Sequence, residues 1–312
     1  MKKLLTIVAA LVVVIVIAIG VGSWINSNNS GGPSKPGPKT PSRSAAPKQP
    51  ENPPGCAPYE LIAAPGTWES KADDDPVNPH AFKWSLLLQV TQPLQQQYGP
   101  EQLKVWTVPY TAQFRNINAQ HEKTYDASRA EGYGKIANEL KATHQQCPAT
   151  KFLLVGFSQG AVIMGDMANN IGNGRGPVPA DSVRGVSLIA DGRQELDKGI
   201  LVGDKKVNGV GAEIALNPVS GLIQGIVPGA TMRGPRPDGF GGLNDRVFNI
   251  CAVGDLVCDG PRDPVNAVSK AREMFLANPI HKEYAKNKNV LPGGATAPQW
   301  VVGWTKKIVD GG

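Results

Sequence analysis

Ser158 is the residue of this chain best set up to do chemistry. It sits in Gly156-Phe-Ser-Gln-Gly160, a G-x-S-x-G pattern between an apolar run at 152–155 and an apolar, helix-like segment that starts at Ala161. In that setting the serine lies on a sharp strand-to-helix turn with its hydroxyl clear of the backbone. The two glycines let strand and helix approach closely. A serine hydroxyl is a weak nucleophile at neutral pH. It needs an imidazole to take its proton and a carboxylate to hold that imidazole in one tautomer.

Chain order selects the partners. Where such a serine works in an alternating strand–helix fold, the acid and then the base follow it in sequence. The chain has four histidines; His80, His121 and His144 precede Ser158, and only His281 follows it. For the acid, Asp255 stands out in Cys251-Ala-Val-Gly-Asp-Leu-Val-Cys258. It follows a strand-like run, and the flanking cysteines could close a small loop that holds the carboxylate. Asp191 also ends a strand-like run, so topology leaves it in contention; Asp259 and Asp263 read as surface charges. Attack by Ser158 on a carbonyl creates an oxyanion, which needs donors. The backbone N–H of Gln159 is one. Another is expected from the loop after an early strand, here Ala64-Pro-Gly-Thr-Trp68, where Thr67 offers both an N–H and a hydroxyl.

These groups must be held by a scaffold, and the hydrophobic pattern describes one. Strands are expected at 59–64, 105–108, 151–155, 183–190 and 247–253. Helices are expected at 84–98 (interrupted at Pro93), 126–144, 161–171, 262–276 and 300–309. In the second helix Tyr133, Ile136, Ala137 and Leu140 fall at i, i+3, i+4 and i+7, one buried face. Strands alternating with helices predict an α/β fold: a central five-stranded parallel sheet covered on both faces. Ligands of such sheets bind at the carboxyl ends of the strands, where Gly66, Ser158 and Gly254 lie. Residues 191–245 fit this scheme poorly. They are glycine-rich with short apolar runs, and two readings stand for them: a lid-like cap that meets acyl chains, or a surface excursion closed on its own small cluster.

The net charge of +6 is informative only once it is located. Residues 1–55 carry +5 and the remaining residues +1, so nothing in the globular part asks for nucleic acid. Residues 4–21 are an apolar run of 18, roughly 27 Å as a helix and near the hydrocarbon thickness of a bilayer. Lys2 and Lys3 precede it and Trp24 follows. The run is long for a signal segment and lacks a clear small-residue cleavage site, so residues 1–25 are expected to be a transmembrane anchor rather than a cleaved signal. Residues 26–55 are rich in Pro, Ser and Gly and read as an extended, disordered linker, with basic side chains suited to anionic lipid or wall polymer. The globular domain spans 56–312. Four cysteines occur, Cys56, Cys147, Cys251 and Cys258. None forms C-x-x-C and no histidine lies at zinc-ligand spacing, so no metal site is expected. An even count in an exported chain favours two disulfides, and the sequence permits three pairings.

Taken together these residues resemble the cutinase family. The match includes Gly-Phe-Ser-Gln-Gly at 156–160, the cysteine-flanked Gly-Asp-Leu-Val-Cys at 254–258, His281 followed three residues later by Tyr284, and Ala-Pro-Gly-Thr at 64–67. The resemblance implies a cutinase-like α/β-hydrolase fold. It implies Ser158 as nucleophile, with Asp255 and His281 as its partners, and Thr67 and Gln159 as oxyanion donors. It also implies the disulfides Cys56–Cys147 and Cys251–Cys258, and a reaction that uses no cofactor. The anchor, the linker and the 191–245 insertion depart from compact secreted cutinases. They look like the membrane-anchored cutinase-like lipid hydrolases of mycobacteria. The expected function is therefore a serine carboxylesterase or lipase of the cell envelope, acting on fatty acyl esters, phospholipids or thioesters outside the cytoplasm. Two other readings stay open: an acyltransferase with a sugar or lipid acceptor, and a non-catalytic wall-binding protein.

Overall fold

The structure of the protein is a computed structural model that describes residues 51–276 and 278–311. The anchor at 1–25 and most of the 26–55 linker lie outside the described residues. Among the described residues no helix is long and apolar enough to cross a membrane.

Six parallel strands form one sheet: β1 (Tyr59–Ala64), β2 (Leu103–Thr107), β3 (Lys151–Phe157), β4 (Val183–Ile189), β5 (Ile200–Leu201) and β6 (Val247–Ile250), in the order β2-β1-β3-β4-β6-β5. The expected five strands are present and a sixth is added. β5 has only two residues, too short for any periodicity to reveal it, and it exists because it pairs with Phe248 and Asn249 of β6.

Alternate residues of each strand point to opposite faces, and here both faces are buried. Leu61 and Ala63, Leu153 and Val155 pack on one side with Val90 and Leu94 of helix α1 (Leu88–Gln97) and Val301 of a C-terminal helix, Ala297–Gly311. Ile62 and Ala64, Phe152 and Leu154 pack on the other with Ile136 and Leu140 of α2 (Tyr125–Gln146) and with Ile163, Met164 and Met167 of α3 (Gln159–Gly172). That is why the strands read as apolar runs rather than alternating ones. Pro93 lies inside α1 without interrupting it. Burial of Leu88, Val90, Thr91 and Leu94 outweighs the backbone hydrogen bond that proline cannot make.

The chain leaves β1 outward to β2 and returns on the other side of β1 as β3. The β1/β3 boundary is thus the topological switch point, where a crevice opens at the strands' carboxyl ends. Register places Ala64 opposite Gly156, so the loop after β1 and the turn after β3 emerge side by side.

The 191–245 segment is not a bare loop. It contributes β5 and two short helices, α4 (Ala212–Ala215) and α5 (Ser220–Ile226), which precede helix α6 (Pro264–Leu276); the C-terminal helix Ala297–Gly311 is α7. The segment closes on a cluster of Ala215, Leu216, Ile223, Ala230 and Met232 with Tyr125 and Ala267. Beneath it Asp166 of α3 meets Arg193, Arg233 and Arg236 at 2.8, 2.5 and 2.8 Å. Burial pushes the Asp166 carboxyl up, but the three guanidinium groups outweigh it and hold it down at about 2. Glu213 joins Arg233 to Arg129 of α2.

One buried carboxyl lacks such support. Glu60 of β1 is fully buried; Lys104 Nζ lies 3.0 Å from it as an ion pair without hydrogen-bond geometry, and neither Glu60 oxygen has a hydrogen-bond partner among the described residues. Burial pushes its pKa from 4.5 to about 7 against the opposing charge of Lys104. A carboxyl whose folded-state pKa is raised favours folding while protonated, and that contribution is lost as pH rises from 4.5 through about 7. Glu60→Gln should therefore match the parent near pH 4.5 and exceed it at pH 8.5 by on the order of 2 kcal/mol in urea melts. A difference that does not grow with pH would contradict this account.

Candidate active site

Strand β3 ends at Phe157 and α3 begins at Gln159, leaving one residue for the turn. Ser158 takes that position at φ 54°, ψ −119°, a conformation costly for a residue with a Cβ. It is held there by its N–H, which donates to Ile189 O at 2.9 Å, and by its carbonyl, which accepts from Val162 N. A Cβ on Gly156 would overlap the Gly160 carbonyl oxygen, and one on Gly160 would overlap the carbonyl oxygen of Ala64. The two glycines of the pattern serve close approach, not unusual φ.

The structure brings Ser158, His281 and Asp255 into one line. Ser158 Oγ lies 2.8 Å from His281 Nε2, and His281 Nδ1 lies 2.9 Å from Asp255 Oδ2. The imidazole stacks on Phe157, with ring centres 5.2 Å apart. With a carboxylate at Nδ1, the neutral ring carries its proton there and presents Nε2 as a base.

Asp255 is fully buried. Its Oδ2 also accepts from the Tyr284 hydroxyl at 2.8 Å, and its Oδ1 accepts from Val257 N at 3.0 Å and Asn278 Nδ2 at 2.8 Å. Burial pushes its pKa up, but the charge of His281 and these hydrogen bonds outweigh that and hold it below the usual carboxylate range. The loop around it is closed by the Cys251–Cys258 disulfide. It turns at Gly254, φ 79°, and Gly254 N donates to Asp259 Oδ2. Asp259 is therefore not a plain surface charge: its other oxygen accepts from Asn208 N and Gly209 N. Asp263 receives Asn266 N at the start of α6. The remaining contender, Asp191, is fully buried and bound by both terminal nitrogens of Arg236 at 2.6 and 3.0 Å. The other cysteines form Cys56–Cys147, which ties the start of β1 to the end of α2 across 91 residues.

Thr67 stands beside Gln159 at the switch point. Among the described residues neither backbone N–H donates to a protein acceptor. The Thr67 hydroxyl is engaged with Gln159 Oε1 at 3.2 Å. Glu69 fastens the same loop, accepting from Gly66 N, Ser85 Oγ and Leu86 N at 3.2, 3.1 and 3.3 Å. Sequence reasoning missed Asn278, Glu69 and Ser128, the last lying 3.0 Å from Gln159 Nε2. No motif marks them. Among the described residues no group of three or more His, Cys, Asp or Glu is arranged to hold a metal ion.

A family profile for cutinase matches residues 56–287. The chain belongs to the cutinase family. It is 51% identical over 313 residues to the carboxylesterase Culp6 homolog of Corynebacterium glutamicum, with 100% of both chains covered. It is 28% identical over 137 residues to acetylxylan esterase 2 of Talaromyces purpureogenus, covering 43% of this chain and 53% of that one. Among solved structures it is similar to a cutinase-like protein from Cryptococcus sp., at 20% identity and a TM-score of 0.43 over 76% of this chain and 95% of that one. This cutinase-family protein is a carboxylic ester hydrolase with a cutinase-like α/β-hydrolase fold.

Asn278 supplies the sharpest local test. Asn278→Ala removes a hydrogen bond to a buried carboxylate and should cost about 1.5–3 kcal/mol in stability, read by denaturant melts. Asn278→Asp sets a second carboxylate against Asp255 and should lower ester hydrolysis far more than Asn278→Ala does. Equal activity in the two variants would show that Asp255 does not depend on this donor.

Proposed function

We propose that Ser158, His281 and Asp255 are the catalytic triad of this carboxylesterase, and that its substrates are fatty acyl esters of the cell envelope, phospholipids and thioesters among them. The observation that carries the proposal is the unbroken hydrogen-bonded line from Asp255 through His281 to Ser158.

In this reading Ser158 Oγ attacks the acyl carbonyl carbon while His281 Nε2 takes its proton. Buried Asp255 stabilises the imidazolium that forms. The carbonyl oxygen becomes an oxyanion and receives the N–H groups of Thr67 and Gln159, the second at the start of α3, where the helix dipole adds to its pull. His281 then gives its proton to the leaving alkoxide or thiolate, and the C–O or C–S bond breaks. Water, deprotonated by the same Nε2, attacks the acyl-enzyme and frees the acid and Ser158. Apolar acyl chains are favoured by exposed Trp68, next to Thr67, and Val253, two residues before Asp255. An extracytoplasmic site, with residues 4–21 as its membrane anchor, is supported by the two disulfides.

Ser158→Ala should abolish hydrolysis of p-nitrophenyl acyl esters and labelling by a fluorophosphonate probe, with the thermal melt unchanged. Hydrolysis at the parent rate in that variant would sink the mechanism. A panel of phospholipid and acyl-thioester substrates, with product analysis in the presence of a trehalose or glycerol acceptor, reads out substrate class and separates hydrolysis from acyl transfer.

A further inference from the structure

We propose that Tyr284 is a positioning residue for the reaction: its hydroxyl proton occupies one lone pair of Asp255 Oδ2, and so aims the other at His281 Nδ1. The proposal rests on the reading of Ser158, His281 and Asp255 as the catalytic triad.

Tyr284 is buried, and its hydroxyl oxygen meets Ala252 N at 2.9 Å, Asp255 Oδ2 at 2.8 Å and Cys258 Sγ at 3.4 Å. The Ala252 N–H can only donate, so it takes a lone pair of the phenol oxygen. Cys258 is disulfide-bonded, so its sulfur carries no hydrogen and is a weak acceptor. The phenol proton therefore goes to the carboxylate. Burial, and then the charge of Asp255, push the Tyr284 hydroxyl well above its ordinary range, so that proton stays in place. A carboxylate offers about four lone-pair sites, shared equally by its oxygens. In Asp255 those of Oδ1 are filled by Val257 N and Asn278 Nδ2, and those of Oδ2 by Tyr284 and His281. With every site taken, the carboxylate has no second orientation that keeps its bonds. His281 Nδ1 is left one oxygen and one direction in which to bond.

The spacing of the two residues follows from the local backbone. Ile280–Lys282 is a 3-10 turn. Side chains three positions apart on such a turn lie over one another, and His281 and Tyr284 are three apart, so both reach the same oxygen. Their rings add a second constraint. Tyr284 stands edge-on to His281 and to Phe157, with ring centres 6.2 and 5.9 Å apart, while His281 stacks on Phe157. These aromatic contacts limit the tilt of the imidazole, and only the hydroxyl acts on the carboxylate. A phenylalanine at 284 keeps the first and loses the second. The hydroxyl is itself fixed by Ala252 N, just past β6 and inside the loop closed by Cys251–Cys258.

The test uses the full-length chain in detergent, with p-nitrophenyl butyrate as substrate and kcat normalised to the folded fraction. Tyr284→Phe should lower kcat about 10-fold with KM changed less than about twofold, because a misdirected base acts on the transition state and not on substrate binding. 3-Fluorotyrosine placed at 284 keeps the donor and should stay within about twofold of the parent kcat. In an Asp255→Ala background Tyr284→Phe should cost no more than about a further twofold, since Tyr284 acts through that carboxylate. A merely structural hydroxyl would lower the thermal melt and leave kcat at the parent value, and that result overturns the proposal. So does a further loss of about 10-fold in the Asp255→Ala background, the mark of independent effects. If Tyr284→Phe does not fold, 4-fluorophenylalanine, which fills the place of the hydroxyl but cannot donate, replaces it throughout. Ser158→Ala measured alongside separates the two readings. An active Ser158→Ala protein removes the triad, whereas an inactive one with parent-level kcat in Tyr284→Phe removes only the role of Tyr284.

Discussion

The contact on which this site depends is that of Gly160 with the carbonyl oxygen of Ala64. There the first turn of α3 lies directly against the end of β1, with no room for a Cβ between them. Because β1 and β3 are paired with Ala64 opposite Gly156, that single approach sets Ser158 and Thr67 side by side at the switch point. Ser158 and the backbone N–H groups of Thr67 and Gln159 thus share one rigid unit, the β1–β3–α3 corner, whose strands are almost wholly buried on both faces. The strain at Ser158 is tolerable for the same reason. A conformation that costs about 1–3 kcal/mol persists where a packed core on either side admits no alternative path.

Asp255 and His281 arrive from further along the chain and are fastened differently. Asp255 stands in an eight-residue disulfide loop, with Tyr284 bridging Ala252 N and the carboxylate. Asn278 binds Asp255 with its amide while its Oδ1 receives the backbone N–H of His281 at 3.4 Å. One short stretch, 278–284, therefore supplies His281 and two of the groups that hold Asp255. The 191–245 segment is secured by ion pairs instead. Asp166 and Glu213 draw together arginines from this segment and from α2. Breaking one partner of such a buried pair leaves an uncompensated charge, so the segment is joined to the body of the domain over a wide front.

The fold was legible because both faces of the sheet are covered: every long strand is an apolar run and every long helix has an apolar stripe. Ser158, Asp255 and His281 were legible because motif and chain order restrict them. Ser128, Glu69 and Asn278 were not. Each is an ordinary polar residue whose role comes from neighbours distant in sequence, such as Ser128 and Gln159, 31 positions apart. Likewise β5 owes its existence to β6 rather than to its own two residues. Local pattern records what a segment buries; it does not record which backbone carbonyl a buried hydroxyl will meet.

Asp191 and Asp255 show why burial and position at a strand end do not suffice for chemistry. Both are fully buried, both follow a strand of the same sheet, and both are hydrogen-bonded through each oxygen. They differ in the partner. Arg236 is a permanent cation whose pKa is raised still further: burial opposes this, but Asp191 and Asp166 outweigh it. Arg236 therefore presents Asp191 with a fixed positive charge, and the pair braces the segment. Asp255 faces an imidazole, which gains a positive charge when it takes a proton. The interaction between them strengthens as the reaction proceeds, and only an interaction stronger in the transition state than in the ground state accelerates the chemical step. The same carboxylate chemistry is structural at one strand end and suited to catalysis at the other because the partner's charge can change.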